Sequence, residues 1–445
     1  MKRYEAYKSS GTAWFTFVPE SWNVLKINAL FSQRKEKVSD KDYAPISVTK
    51  NGILPQLETA AKTDDGDNRK KVCAGDFVIN SRSDRKSSCG ISQLEGSVSL
   101  INIVLKPRKE INGCYAHYLL RSQPFSEEFY RNGRGIVADL WTTRYSEMKN
   151  ILLPVPPRDE QDQIVRYLDW QVSKINRLIT AKRKQIQLLK ERQKTRIAHI
   201  VQCGLDDNAV TRDSGIEYIG IVPSHWLVLQ NRRLFHSMNR IFLGTPTVLS
   251  LSQKDGLIPY SEMSERSLHT SSYENWQLVH ENDLVLNRFK AHLGVFFASK
   301  YEGIVTFHYG VYEPRRPLVA KYYEALYHTP AYCRVYAGQS RGMTVGLQNL
   351  SDTNFYSTYT VYPPYEEQVE IVSEISQIEK QHSQIIASIV SQIEMLQDLR
   401  TRLISDVVTG QIDVRGIEVP DYEHYDEAPE NATEESSDSD YDTEE

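Results

Sequence analysis

The sequence predicts an α/β (α+β) protein: two similar globular domains joined by two long antiparallel helices forming a coiled-coil spacer, with pseudo-two-fold symmetry. Three observations predict it. The chain repeats itself at an offset of 204 to 207 residues, each copy ends in an apolar heptad stripe, and both stripes have the same boundaries.

The repeat opens with Gly11-Thr-Ala-Trp-Phe-Thr-Phe-Val-Pro-Glu-Ser-Trp-Asn-Val-Leu25, which returns as Gly215-Ile-Glu-Tyr-Ile-Gly-Ile-Val-Pro-Ser-His-Trp-Leu-Val-Leu229, an offset of 204 (215 − 11). Lys50-Asn-Gly-Ile-Leu-Pro55 and Lys254-Asp-Gly-Leu-Ile-Pro259 keep that offset. Asp76-Phe-Val-Ile-Asn80 against Asp283-Leu-Val-Leu-Asn287, and Pro156-Pro-Arg-Asp-Glu-Gln161 against Pro363-Pro-Tyr-Glu-Glu-Gln368, stand at 207 (283 − 76). Two copies of one unit predict a pseudo-two-fold axis.

Each copy begins as a mixed globule. Short β-branched runs bounded by Gly, Asp or Pro, such as Phe77–Asn80, Val98–Leu105 and Asp283–Leu286, predict strands. Tyr115–Leu120 and Tyr322–Tyr327 predict short helices stopped near Pro124 and Pro330. Long helices follow. Val165, Leu168, Val172, Ile175, Ile179, Lys182, Ile186 and Leu189 step by three and four. Ile371, Ile375, Ile378, His382, Ile385, Ile389, Gln392, Leu396, Leu399 and Leu403 do the same. Both stripes start after Pro-Pro with acids in the first turn and end at Gly204 and Gly410. Roughly 40 residues at ~1.5 Å each make rods of about 60 Å, and burying one stripe on the other places the globules at opposite ends of a rigid spacer. His382 and Lys182 read as register devices or snorkelling side chains. The resulting divisions are 1–155, 156–205, 206–362, 363–412 and an acidic disordered tail, 413–445.

Composition narrows the class. The chain of 445 residues is 25% charged and 40% hydrophobic, the balance of a folded soluble protein. No apolar run approaches the ~18 residues of a membrane span, and Met1–Lys8 has no signal-like apolar core, so a cytoplasmic location is expected. Cys73, Cys89, Cys114, Cys203 and Cys333 form no CxxC pair and read as reduced thiols without a metal site. The net charge of −5 hides a basic body: residues 421–445 carry 12 acids and no Lys or Arg, and without them the balance is +7.

No motif supports catalysis. The chain lacks a phosphate-binding GxxxxGK[ST], a GxGxxG, an HExxH and zinc spacing. Tyr362-Pro-Pro-Tyr365 resembles the Pro-Pro-aromatic motif of DNA amino-methyltransferases, but Tyr stands where that motif needs Asn, Asp or Ser. Because the other copy has Val155-Pro-Pro-Arg158, the prolines are better read as a strand exit and helix start.

Basic loops remain. Arg82, Arg85 and Lys86 lie in Ser81–Ser87, after a strand, and Arg288 and Lys290 lie in the counterpart Asn287–His292. Arg134 and Arg341 align at 207 (341 − 134), and Arg144 lies in Thr142–Tyr145, opposite Asn349–Asp352. Arginine and lysine among small polar residues suit phosphate and base-edge contacts, and these eight residues are the candidate DNA-binding set.

Taken together, the Val-Pro-x-x-Trp openings, the Asp-to-Asn strands, the Pro-Pro-x-x-Glu-Gln helix starts and the Gly-ended helices resemble the specificity subunit of type I restriction–modification systems, over about residues 1–415. The resemblance implies two target-recognition domains, each reading one half of a bipartite asymmetric double-stranded DNA site, and a non-catalytic chain with no cofactor of its own. It implies docking of two methyltransferase subunits that use S-adenosylmethionine on adenine, and of restriction subunits that use ATP and Mg to translocate and cut. The first copy departs from the family pattern at Trp14-Phe-Thr16, where the second keeps Tyr218-Ile-Gly220; a local turn difference is expected. The competing reading is a coiled-coil scaffold that joins protein partners without reading DNA.

Overall fold

The computed structural model describes residues 2–426 except 57–65, 83–84, 136–140, 239, 241, 243–245, 253–255, 263–272, 274–275 and 341–348. Contacts divide the chain into two compact units, residues 1–183 with 389–438 and residues 184–388 with 439–445.

The first unit is built on an antiparallel sheet in the order Cys89–Ile91, Phe77–Asn80, Asn102–Pro107, Phe31–Gln33. Phe77 and Val78 face opposite sides of the sheet, yet both are fully buried, so both faces are covered. Val78 packs in a core with Ile46, Val72, Val98 and Val104. The helix Gly113–Arg121 packs against the strands of the sheet. Its first turn is capped by Asn112, whose Oδ1 accepts from Cys114 N at 2.7 Å and Tyr115 N at 3.2 Å. Pro124 does more than stop this helix: with no N–H to lose, it sits in the first turn of the next one, Gln123–Arg131. Pro330 likewise opens Pro330–Gln339 in the second unit. Both preceding helices end where expected, at Arg121 and Tyr327, just ahead of these prolines.

One half-buried histidine is expected to make this unit sensitive to pH. His117 Nδ1 accepts from Ile91 N at 3.2 Å. Burial, with the Arg121 guanidinium, lowers its pKa from 6.5 to about 3. The folded unit keeps it neutral while the unfolded chain takes a proton, so its contribution is complete above pH 6.5 and is lost as pH falls towards 3. Below pH 6.5 the wild type is expected to lose stability faster than His117→Gln, by up to about 1.4 kcal/mol per pH unit. Urea unfolding of both proteins between pH 4 and 7 measures this, and parallel pH profiles would refute it.

The second unit has the same strand order: Phe235–Ser237, Tyr309–Pro314, Leu284–Asn287, Phe296–Ala298. Its core is rich in tyrosine, with Tyr312, Tyr322, Tyr323, Tyr327 and Tyr336 around Phe235, Phe296 and Phe355. Tyrosine inside a core needs polar partners. Buried Asn231 supplies them, accepting from Tyr327 Oη at 2.8 Å and donating to Tyr336 Oη at 3.3 Å and Phe355 O at 3.0 Å.

The repeated motifs interlock in the same way inside each unit. In the first, Trp22 Nε1 donates to Glu160 Oε1 at 3.0 Å. Gln161 Nε2 donates to Pro156 O at 2.9 Å, and its Oε1 accepts from Asn112 N at 2.7 Å. In the second, Trp226 Nε1 donates to Glu367 Oε2 at 3.0 Å, and Gln368 bridges Pro363 O and Val319 N at 2.9 Å each. The Val-Pro-x-x-Trp opening and the Pro-Pro-x-x-Glu-Gln helix start are therefore two halves of one junction. The substituted opening also keeps its role: Trp14 Nε1 donates to Leu152 O at 3.2 Å, as Tyr218 Oη does to Tyr359 O at 2.9 Å.

The long helices run Arg158–Cys203 and Tyr365–Val408. Each is followed by a glycine in the left-handed region, Gly204 at φ +83° and Gly410 at φ +75°. A Cβ on Gly410 would stand 2.4 Å from Pro19 Cδ, so only glycine lets this helix end reach the tryptophan junction of the first unit. Tyr115 Oη donates to Val408 O at 3.1 Å there, and in the second unit Tyr322 Oη donates to Val201 O at 2.6 Å. Within the first unit, Arg400 donates to Asn176 Oδ1 at 2.7 Å and Lys182 to Gln392 Oε1 at 2.6 Å, an antiparallel pairing.

The second stripe differs from the expected one. Ile385 is 46% and Leu399 51% exposed, and Gln392 is exposed as well. Ile389, Ile393 and Leu403 are buried, and Ile386, Leu396 and Arg400 are half-buried. From Ile378 the inward face takes two steps of four, to His382 and Ile386, so that Ile386, Ile393 and Arg400 replace Ile385, Gln392 and Leu399 while Ile389, Leu396 and Leu403 keep their expected places.

The tail boundary at 413 is corrected too. Gln163 Nε2 donates to Val414 O at 3.1 Å and Ile417 O at 2.7 Å, and Asn176 Nδ2 donates to Tyr425 O at 3.3 Å. Apolar Val414, fully buried, anchors this strap ahead of the acid-rich residues. Arg415 holds Asp413 by two hydrogen bonds of 3.0 and 2.9 Å and keeps its carboxyl below the usual range. All five cysteines are free thiols. Among the described residues, no helix is long and apolar enough to cross a membrane.

Candidate nucleic-acid interface

In the first unit the three basic segments meet. The strand Phe77–Asn80 ends on Asn80, whose Oδ1 accepts from Arg82 N at 3.0 Å and turns the chain. Arg134 and Thr142 exchange two backbone hydrogen bonds of 3.0 Å, Arg82 bridges Thr142 as well, and Thr143 N donates to Ser81 O at 3.0 Å. Segments around residues 82, 134 and 142, far apart in sequence, form one edge. Arg82, Arg85, Lys86, Arg134 and Arg144 are all exposed, the last as the residue before the helix Tyr145–Met148.

Two aromatic rings stiffen this edge. Tyr130 Oη donates to Arg82 O at 3.2 Å, and Lys86 Nζ lies 5.2 Å from the Tyr130 ring centroid. Trp141 Nε1 donates to Tyr130 O at 2.8 Å. Gly133 makes room for that indole: a Cβ there would come within 2.2 Å of Trp141 Nε1.

In the second unit the equivalent strand ends on Asn287, whose Oδ1 accepts from Phe289 N at 3.1 Å and Lys290 N at 3.3 Å. Lys290 is exposed. Arg288 turns away, with Nη2 on Asp352 Oδ1 at 2.9 Å, and the same carboxylate oxygen accepts from Tyr312 Oη at 2.8 Å. That ion pair ties the loop to the helix Asp352–Ser357. Arg341, the eighth candidate, lies outside the described residues.

The whole chain can be compared with solved structures. A chain from a structure on complex assembly and conformational transition of the type I R-M system is 14% identical, with a TM-score of 0.56 over 89% of this chain and 99% of that one. The HsdS subunit from Thermoanaerobacter tengcongensis is 14% identical, with a TM-score of 0.49 over 89% and 98%. The type I S subunit from M. genitalium is also 14% identical, with a TM-score of 0.34 over 87% and 96%. Two of these three neighbours are thus type I specificity (S) subunits, and the third comes from a type I R-M system. No family model and no curated protein matches the chain.

In each unit the candidate edge follows the equivalent strand of the four-stranded sheet, and in the second it begins as the 3-10 turn Arg288–Leu293. Sequence reading found the cations but missed the aromatic residues between them. Tyr130 and Trp141 in the first unit, and exposed Phe289, Phe307 and His308 in the second, give no spacing signal; only the folded chain gathers them. An aromatic residue next to a basic one after the strand-ending asparagine, as in Arg288-Phe-Lys290, was the available clue.

Proposed function

We propose that this chain is the non-catalytic specificity subunit of a type I restriction–modification system. Each unit reads one half of a bipartite, asymmetric site in double-stranded DNA. The observation that carries this reading is the convergence of Arg82, Arg134 and Arg144 on one bridged edge beside Arg85 and Lys86, five exposed cations. The likeness in fold to a chain of a type I R-M system supports it.

In this function the long helices form the coiled-coil spacer of a pseudo-two-fold molecule and set the gap between half-sites. The first helix has 46 residues, about 69 Å at ~1.5 Å per residue. Half-sites on one DNA face are centred about one helical turn, ~34–36 Å, apart. The chain docks two methyltransferase subunits and the restriction subunits in the cytoplasm. Methylation of adenine with S-adenosylmethionine, and ATP- and Mg-dependent translocation and cleavage, belong to those partners.

The test is co-expression with a type I methyltransferase subunit, followed by single-molecule sequencing of the host DNA for modified adenines. One split motif with a constant gap is expected. No motif, together with no sequence preference in DNA binding by the purified assembly, would leave a scaffold and overturn the proposal.

A further inference from the structure

The two units present different chemistry at one structurally equivalent position. Asn80 Oδ1 accepts from Arg82 N at 3.0 Å, and Asn287 Oδ1 accepts from Phe289 N at 3.1 Å. Ser81 O accepts from Thr143 N at 3.0 Å, and Arg288 O accepts from Leu350 N at 3.0 Å. Every pair stands at 207 (289 − 82, 288 − 81, 350 − 143). The counterpart of Arg82 is therefore Phe289. Arg288 stands where the first unit has Ser81, and its guanidinium is held by Asp352.

Phe289 is 37% exposed at the tip of its turn. Its ring centroid lies 5.8 Å from that of His308, next to Phe307, which is 54% exposed, and Leu293 of the same turn is 49% exposed. The segment carries an exposed cation as well, Lys290. A cluster of apolar side chains held in water beside a cation marks a binding surface. On the DNA edge proposed above, the arginine position matches a guanine, whereas an apolar side chain matches the 5-methyl group of thymine, the one apolar feature of a base edge in the major groove.

Resting on that DNA-reading function, we infer that Phe289 is a specificity-determining residue that contacts a thymine methyl group in the half-site read by the second unit. The two half-sites thus differ in chemistry at the matching position, guanine for Arg82 and thymine for Phe289.

Selection from a randomised double-stranded DNA pool by the full chain, as wild type, Phe289→Ala and Arg82→Ala, tests this. Phe289→Ala is expected to lose the preference for one A·T pair in one half-site, with affinity down about 5- to 30-fold. Arg82→Ala is expected to relax a G·C pair in the other half-site only. Replacing the identified thymine by deoxyuridine, which lacks the methyl group, weakens the wild type to the same degree and leaves Phe289→Ala unchanged. Phe289 is at the surface, so the variants keep the wild-type melting temperature. If Phe289→Ala selects the full wild-type motif, or the wild type binds the deoxyuridine duplex as tightly as the thymine one, the inference falls while the DNA-reading function stands. If the wild-type chain selects no motif, both fall.

Discussion

Replacing Trp226 by alanine is expected to destabilise the second unit by about 3–5 kcal/mol, the usual cost of emptying a large aromatic site in a core. Trp226 is fully buried among Ile200, Val201, Val222 and Ile371. Its indole holds Glu367 in the first turn of the second long helix, and its ring closes on the end of the first, 3.4 Å from where a Cβ of Gly204 would stand. One side chain therefore joins the repeat opening, a helix start and a helix end. Trp226→Phe keeps most of the volume and loses only the indole hydrogen bond, so about 1–1.5 kcal/mol is expected. Calorimetry gives the loss, and hydrogen exchange locates it: amides within 184–388 should lose protection while those of the sheet at Phe77–Asn80 keep theirs. A loss below about 1 kcal/mol for the alanine variant would mean that the junction is not a keystone.

The second large effect concerns DNA. Alanine at Arg82, Arg85, Lys86, Arg134 and Arg144 together is expected to make the salt dependence of binding shallower by about 4, since each phosphate contact contributes close to 0.9 to the slope of log K against log salt. Affinity at 0.1 M salt should fall by more than about 100-fold. Because all five side chains are exposed, thermal stability should be unchanged. Titrations of fluorescent duplex at several salt concentrations give both numbers. An unchanged slope would remove this edge from the DNA interface and favour the scaffold reading.

Much of the architecture was legible because the repeat marks what both copies need. A tryptophan and a glutamate that recur about 140 residues apart do so because one donates to the other in both units. The glycines that end both long helices recur because each turns there in the left-handed region, at φ +83° and +75°, against that junction. What was illegible depends on geometry between segments. A strict heptad on a helix of 3.6 residues per turn drifts, and Ile385 and Leu399 moved outward with it. Arg288 looked like Arg82 by composition, but one residue of register in an Asx turn separates a side chain held by Asp352 from one that faces solvent. The strap at 413–426 carries too few apolar residues to show in a pattern; its backbone carbonyls, held by Gln163 and Asn176, place it.

The composition of the units also sets an order of assembly on the ribosome. Among the described residues the second unit draws on the unbroken run Lys184–Ser388, whereas the first joins residues 2–183 to 389–426. The half that is synthesised first is thus finished last. While the 205 residues from Lys184 to Ser388 emerge, roughly 10–40 s at ordinary translation rates, the hydroxyl of Tyr115 has no Val408 carbonyl to meet and Pro19 and Trp22 have no helix end to pack on. The nascent chain completes its younger head before the older one can close.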